Sequence, residues 1–98
     1  MYEKLRKNIV AHNEKYVELN DLVHNAKTEQ ELQDAMTARW QFIHDYATWL
    51  GEFVWTNVTE LTPADLSAFD LVPYIVWNKM SEKSERIVNL IMKLKGDA

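Results

Sequence analysis

Residues 28–36, Thr28-Glu29-Gln30-Glu31-Leu32-Gln33-Asp34-Ala35-Met36, decide the fold. The Thr28 hydroxyl is placed to accept from the backbone N–H three residues on, and Glu31 to reach back to the Thr28 amide, the reciprocal pattern that starts a helix. The acids of this first turn also suit the positive end of the helix dipole. From Leu32 to Val58 apolar residues recur at helical spacing. At about 100° per residue they cover roughly 180° of the wheel, wider than the stripe of an ordinary surface helix. Such an arc suits a central helix that meets two others, or one that also meets a second subunit. Gly51 costs a helix interior about 1 kcal/mol, and residues 53–59 are β-prone in composition. A lone strand would have no partner in this chain, so the helix is expected to continue to about Val58.

Upstream, Leu5, Ile9, His12, Tyr16, Leu19 and Val23 share one narrow stripe of a helix running from about Tyr2 to Asn25. It should end near Asn25–Lys27, with Asn in a left-handed cap and Lys at the negative dipole end. The short polar turn before Thr28 makes the first two helices antiparallel neighbours. Downstream, Thr62 is an N-cap with Pro63 at N1 and Asp65 at N3, and Leu61 and Leu66 are placed as a hydrophobic staple. That helix is short, ending near Phe69, because Pro73 disfavours helical geometry at Val72. From Pro73 a helix can run to about Lys95, with room for a break between Asn78 and Arg86 at Ser81 or Ser84, and Gly96 as its ending. The expectation is an all-α fold, a small antiparallel helical bundle of three long helices and one short helix, in a single domain over residues 1–98.

Composition narrows the function classes. The 98 residues carry a net charge of −4, 47% hydrophobic residues and no Cys. A disulfide framework, Cys-ligated zinc and thiol chemistry are therefore excluded. No apolar run follows MYEKLRKNIV as a secretory signal would require, and no stretch is long enough to span a membrane. A cytoplasmic protein with no membrane attachment is the expectation. The charge is uneven: +1 over residues 1–28, −7 over 29–70 and +2 over 71–98. Without a basic stripe nucleic acid is not an expected ligand. The acidic middle points instead to a protein partner with a basic surface.

Candidate catalytic groups are sparse. No two histidines have the i, i+4 spacing of a metal pair, and there is no HExxH, GxSxG or phosphate-cradling glycine loop. No catalytic residue, metal site or cofactor is expected. Glu14, Glu18 and Asp21, and Glu31 with Asp34, have a spacing similar to that with which MazG-like nucleotide pyrophosphohydrolases hold Mg²⁺ on facing helices. Here they fall on the polar sides of the helices, which reads as a solvated face. Leu5-Arg6-x-x-Ile9 with Asn13, Val17 and Leu19 resembles the first helix of small all-α chorismate mutases, over less than a fifth of the chain. The acid of that pattern is Val10 here and its second cation Val23, so no family is assigned.

Two features remain. Arg39 is the only base between Thr28 and Asn78, yet the wheel puts it inside the apolar arc, where a guanidinium needs a partner. With His12 it is the candidate for a ligand-binding pocket between helices. Four tryptophans are more than a core of this size readily buries, and Trp is a favoured interface anchor. Trp49, Glu52, Trp55, Glu60 and Trp77 form the candidate partner-binding surface. The leading expectation is a non-enzymatic protein–protein interaction module, an inhibitor or adaptor that occludes or recruits its partner and also self-associates. Small, acidic, cysteine-free helical chains are common among phage and mobile-element inhibitors, and an origin of that kind accompanies this expectation. The alternative is a small-ligand or nucleotide-handling bundle, a Mg-dependent hydrolase in its sharpest form.

Overall fold

The structure, a computed structural model, describes residues 1–96. Five α-helices follow one another: α1 (Tyr2–His24), α2 (Glu29–Thr56), α3 (Pro63–Leu66), α4 (Tyr74–Lys83) and α5 (Glu85–Lys95), with a 3-10 segment over Ser67–Leu71. No strand occurs among the described residues. The fold is an all-α bundle, and among the described residues no helix is long and apolar enough to cross a membrane.

The start of α2 is capped as its sequence dictates, with one difference. Thr28 Oγ1 accepts from the Glu31 amide at 3.0 Å. Glu31 Oε2, however, accepts from the Lys27 amide at 2.9 Å, one residue earlier than the reciprocal pattern. The preceding turn is correspondingly tight, and Asn25 ends α1 at φ −97° rather than in the left-handed region. Only Gly96 adopts a positive φ among the described residues, at 84°. At its far end α2 stays helical through Gly51 to Thr56, two residues short of Val58.

Thr62 and Asp65 form a complete capping box on α3: Thr62 N donates to Asp65 Oδ2 at 3.0 Å and Asp65 N to Thr62 Oγ1 at 3.2 Å. Leu61 and Leu66 are both buried beside it. The expected third long helix is divided in two. Ser84 takes an extended conformation (φ −162°, ψ 100°), and its hydroxyl accepts from the Ile87 amide at 3.3 Å to restart the chain as α5.

The core lies at one end of a long molecule, 48 × 25 × 21 Å. Every buried residue of α2 lies from Ile43 onward: Ile43, Tyr46, Ala47, Leu50 and Val54. This half is covered by α1 on one side and by α4 and α5 on the other. Leu32, Met36 and Trp40, expected within the buried arc, are instead 39%, 47% and 54% exposed. The physical reason is length: α2 extends about 42 Å at 1.5 Å per residue, and the short C-terminal helices reach back along it only as far as Trp40, over whose ring the Lys79 ammonium of α4 lies at 4.7 Å. The first half of α2 pairs with α1 as a helical hairpin whose outer face is left largely exposed at Leu32 and Met36.

Candidate functional site: the clefts beside Trp55

Trp55 is 61% exposed and stands between two clefts. It shares a face of α2 with Thr48 and Gly51, seven and four residues back, while Trp49 is turned about 120° away. The first cleft, of about 280 Å³, runs between α2 and the α4–α5 junction. Ala47, Met80 and Ile87 form its apolar floor, Gly51 opens it, and Lys83 and Glu52 stand among its walls. A Cβ at Gly51 would meet Ile87 Cγ2 at 3.8 Å, ordinary contact, so close packing does not demand the glycine. Its missing side chain leaves room in the cleft.

Lys83 belongs to the last turn of α4. Its ammonium donates to His44 Nε2 at 3.1 Å and to Thr48 Oγ1, both on α2. A lysine offers donors only, so Nε2 is the accepting nitrogen of His44 in this arrangement. The second cleft, of about 300 Å³, is bounded by Trp55 with Arg86, Asn89, Leu90 and Lys93 of α5. Arg86, Asn89, Leu90 and Lys93 follow helical spacing and therefore line one face. Among the described residues Glu52 is the only carboxylate that lines either cleft.

The five residues expected to form one partner surface do not stay together. Glu52 and Trp55 do, at the first cleft. Glu60 is exposed in the turn after α2. Trp49 is drawn inward: its ring stacks on His12 at 4.6 Å and 13°, and it packs against the core. Trp77 likewise packs against the core, with Phe69 at 5.8 Å. The acidic rim expected around Trp55 is also corrected. Folding brings the base-rich C-terminal segment beside the end of α2, so Lys83, Arg86 and Lys93 outnumber Glu52 there.

Arg39 and His12 are kept apart. His12 Nδ1 lies 2.7 Å from the Asn8 carbonyl and donates to it, and its ring packs among Phe42, Tyr46 and Trp49. Arg39 Nη1 donates to Asn20 Oδ1 at 2.9 Å, half-buried, and forms no ion pair among the described residues. Asn20 lies eight residues beyond His12 on α1, about 12 Å along the axis, so the two candidates line different levels of the helix pair. The carboxylates of α1 and α2 do not converge either. Glu14, Glu18 and Asp21 are exposed, Glu31 is engaged at the helix cap, and Asp34 accepts from Gln30 at 2.8 Å. Among the described residues no three His, Asp or Glu side chains gather as a metal site would require.

Sequence reasoning missed Lys83, Arg86 and Ile87 as neighbours of Trp55. Two signals pointed that way: the positive balance of residues 71–98 and a glycine inside a long helix. Comparison with protein families, with characterised proteins and with solved structures finds no match for the chain.

Proposed function

We propose that the chain is a protein-binding module that acts through the Trp55 surface, as a small inhibitor or adaptor that occludes or recruits its partner. The observation that carries this reading is Trp55 itself: a large ring 61% exposed beside an apolar cleft. Aromatic anchors beside desolvated pockets are where binding energy concentrates in protein interfaces. Among the described residues the cleft lining brings together no convergent set of catalytic side chains. The test is parallel affinity capture from native lysate with the wild-type chain, Trp55→Ala and the cleft-filling Gly51→Leu. A protein held by the wild type and lost from both variants, with both melting near the wild-type temperature, supports the reading. A protein held equally by Trp55→Ala overturns the surface.

Self-association is a second part of the proposal, supported by the exposed stripe of Leu32, Met36 and Trp40 on the hairpin, of which only Trp40 carries a cover, the Lys79 ammonium, among the described residues. Two copies joined stripe to stripe would shield these side chains from water. Sedimentation velocity should give a concentration-dependent dimer that Trp40→Glu reduces to monomer. A wild-type chain that stays monomeric at high concentration contradicts it. A cytoplasmic setting fits a cysteine-free chain of this kind.

A further inference from the structure

We propose that the occupant of the Trp55 surface is an acidic peptide segment of a partner protein, with one apolar side chain over Gly51 and carboxylates on Lys83, Arg86 and Lys93. The inference rests on the reading of Trp55 as a protein-binding surface and adds the partner's chemistry. It is opposite in sign to what the chain's net charge of −4 suggests.

The local charge decides it. Among the described residues the ion pairs are Lys15–Glu18, Lys79–Glu82 and Lys95–Asp70. Lys83, Arg86 and Lys93 take part in none of them, and all three line the clefts that flank Trp55. Lys83 is held in place by His44 and Thr48, neither of which brings a carboxylate to the ammonium. Among the described residues three cations against the single carboxylate of Glu52 leave this surface attractive to anions.

Spacing defines the segment further. Arg86 and Lys93 are seven residues apart on one face of α5, about 10 Å along the helix, with Leu90 between them. Carboxylates three residues apart on a peptide in the polyproline II conformation, with three residues per turn at about 3.1 Å each, lie on one face and span about 9 Å. The first cleft, floored by Ala47, Met80 and Ile87, takes the apolar side chain. A guanidinium is suited to a carboxylate in bidentate geometry. A single-stranded nucleic acid would also meet the cations, but an aliphatic floor offers its bases only Trp55 to stack on, and Glu52 opposes a phosphate there.

The test selects ligands without assuming a sequence. A random-peptide phage library is panned on the full chain at physiological salt, and enriched peptides are titrated by fluorescence anisotropy. They are measured against the wild type, Trp55→Ala, a triple Lys83→Glu/Arg86→Glu/Lys93→Glu variant and the milder triple glutamine variant, which serves if charge reversal unfolds the chain. Enriched peptides should carry two or more Asp or Glu beside one large apolar residue. Their affinity should fall roughly tenfold or more on Trp55→Ala and on either triple variant. Peptides that need Trp55 but carry bases, or that ignore both triple variants, overturn the acidic partner and leave the Trp55 surface standing. Peptides indifferent to Trp55→Ala, or no enrichment at all, overturn both. Binding of an oligothymidine at this surface in place of acidic peptides also overturns the inference.

Discussion

The Tyr46 hydroxyl donates to Asn13 Oδ1 at 2.7 Å, and the Asn13 amide in turn donates to the Leu71 carbonyl at 2.9 Å. One asparagine thus ties α2 to α1 and to the 3-10 segment. Tyr46 is fully buried, and burial pushes its phenol well above the ordinary tyrosine range. Tyr46→Phe keeps the ring's packing but leaves Asn13 Oδ1 without its donor, so chemical denaturation should report a loss of about 1–2 kcal/mol. The pH dependence follows from the raised pKa. The contribution is full below about pH 10, the unfolded value, and is lost as pH rises toward the folded one, because only the unfolded chain ionises. Wild-type stability should therefore fall in alkali more steeply than that of Tyr46→Phe. Parallel curves would contradict a buried neutral phenol.

Gly51→Ala should stabilise the chain. Gly51 sits inside α2, and an added Cβ meets Ile87 Cγ2 at an unstrained 3.8 Å. Removing a helix-interior glycine gains about 1 kcal/mol, read as a higher melting temperature. A lower one would mean that the backbone at Gly51 needs freedom that a Cβ denies.

Trp49 and Trp55 should part company under mutation. Trp49→Ala removes a ring stacked on His12 and packed against the core, and should cost about 2–3 kcal/mol. Trp55→Ala removes a ring 61% exposed and should shift stability by no more than about 0.5 kcal/mol. Thermal melts of the two variants decide it, and equal losses would make Trp55 a core residue.

Asp65 is the acid-sensitive link in the cap of α3. The Thr62 backbone N–H, foremost among its partners, holds its carboxyl below the ordinary carboxylate value. A lowered folded pKa means stability that is present above the unfolded value, about pH 4, and lost as pH falls through the folded one. Asp65→Asn should melt below the wild type at pH 7, and the gap should close in acid. A gap unchanged at pH 2 would remove the carboxylate from the account.

What was legible in the sequence was local. Thr28, Thr62 with Asp65, and Ser84 each cap a helix from within four residues, and a short-range pattern is enough to find them. The helical course of α2 through Gly51 was legible from periodicity. The exposure of Leu32, Met36 and Trp40 was not, because it depends on how far α4 and α5 reach along α2, a matter of tertiary packing. The site divides the same way. That Trp55 and Glu52 share one side of α2 followed from their places on the helix, but the inward packing of Trp49 and Trp77 depends on their neighbours, His12 and Phe69. Lys83, Arg86 and Lys93 reach Trp55 only through the chain's return, so local charge reversed a sign that composition had suggested.

The central claim is that Trp55, and not its inward-facing neighbours, meets the partner. The most direct measurement is the ¹⁵N–¹H spectrum of the chain with increasing amounts of the strongest selected peptide. Its indole signals would be assigned from single Trp→Phe variants. The account predicts that the Trp55 indole N–H and the Gly51 amide shift and saturate together, while the Trp49 indole stays in place. A Trp55 signal that does not move at saturation, with Trp49 or Trp77 shifting in its stead, would contradict it.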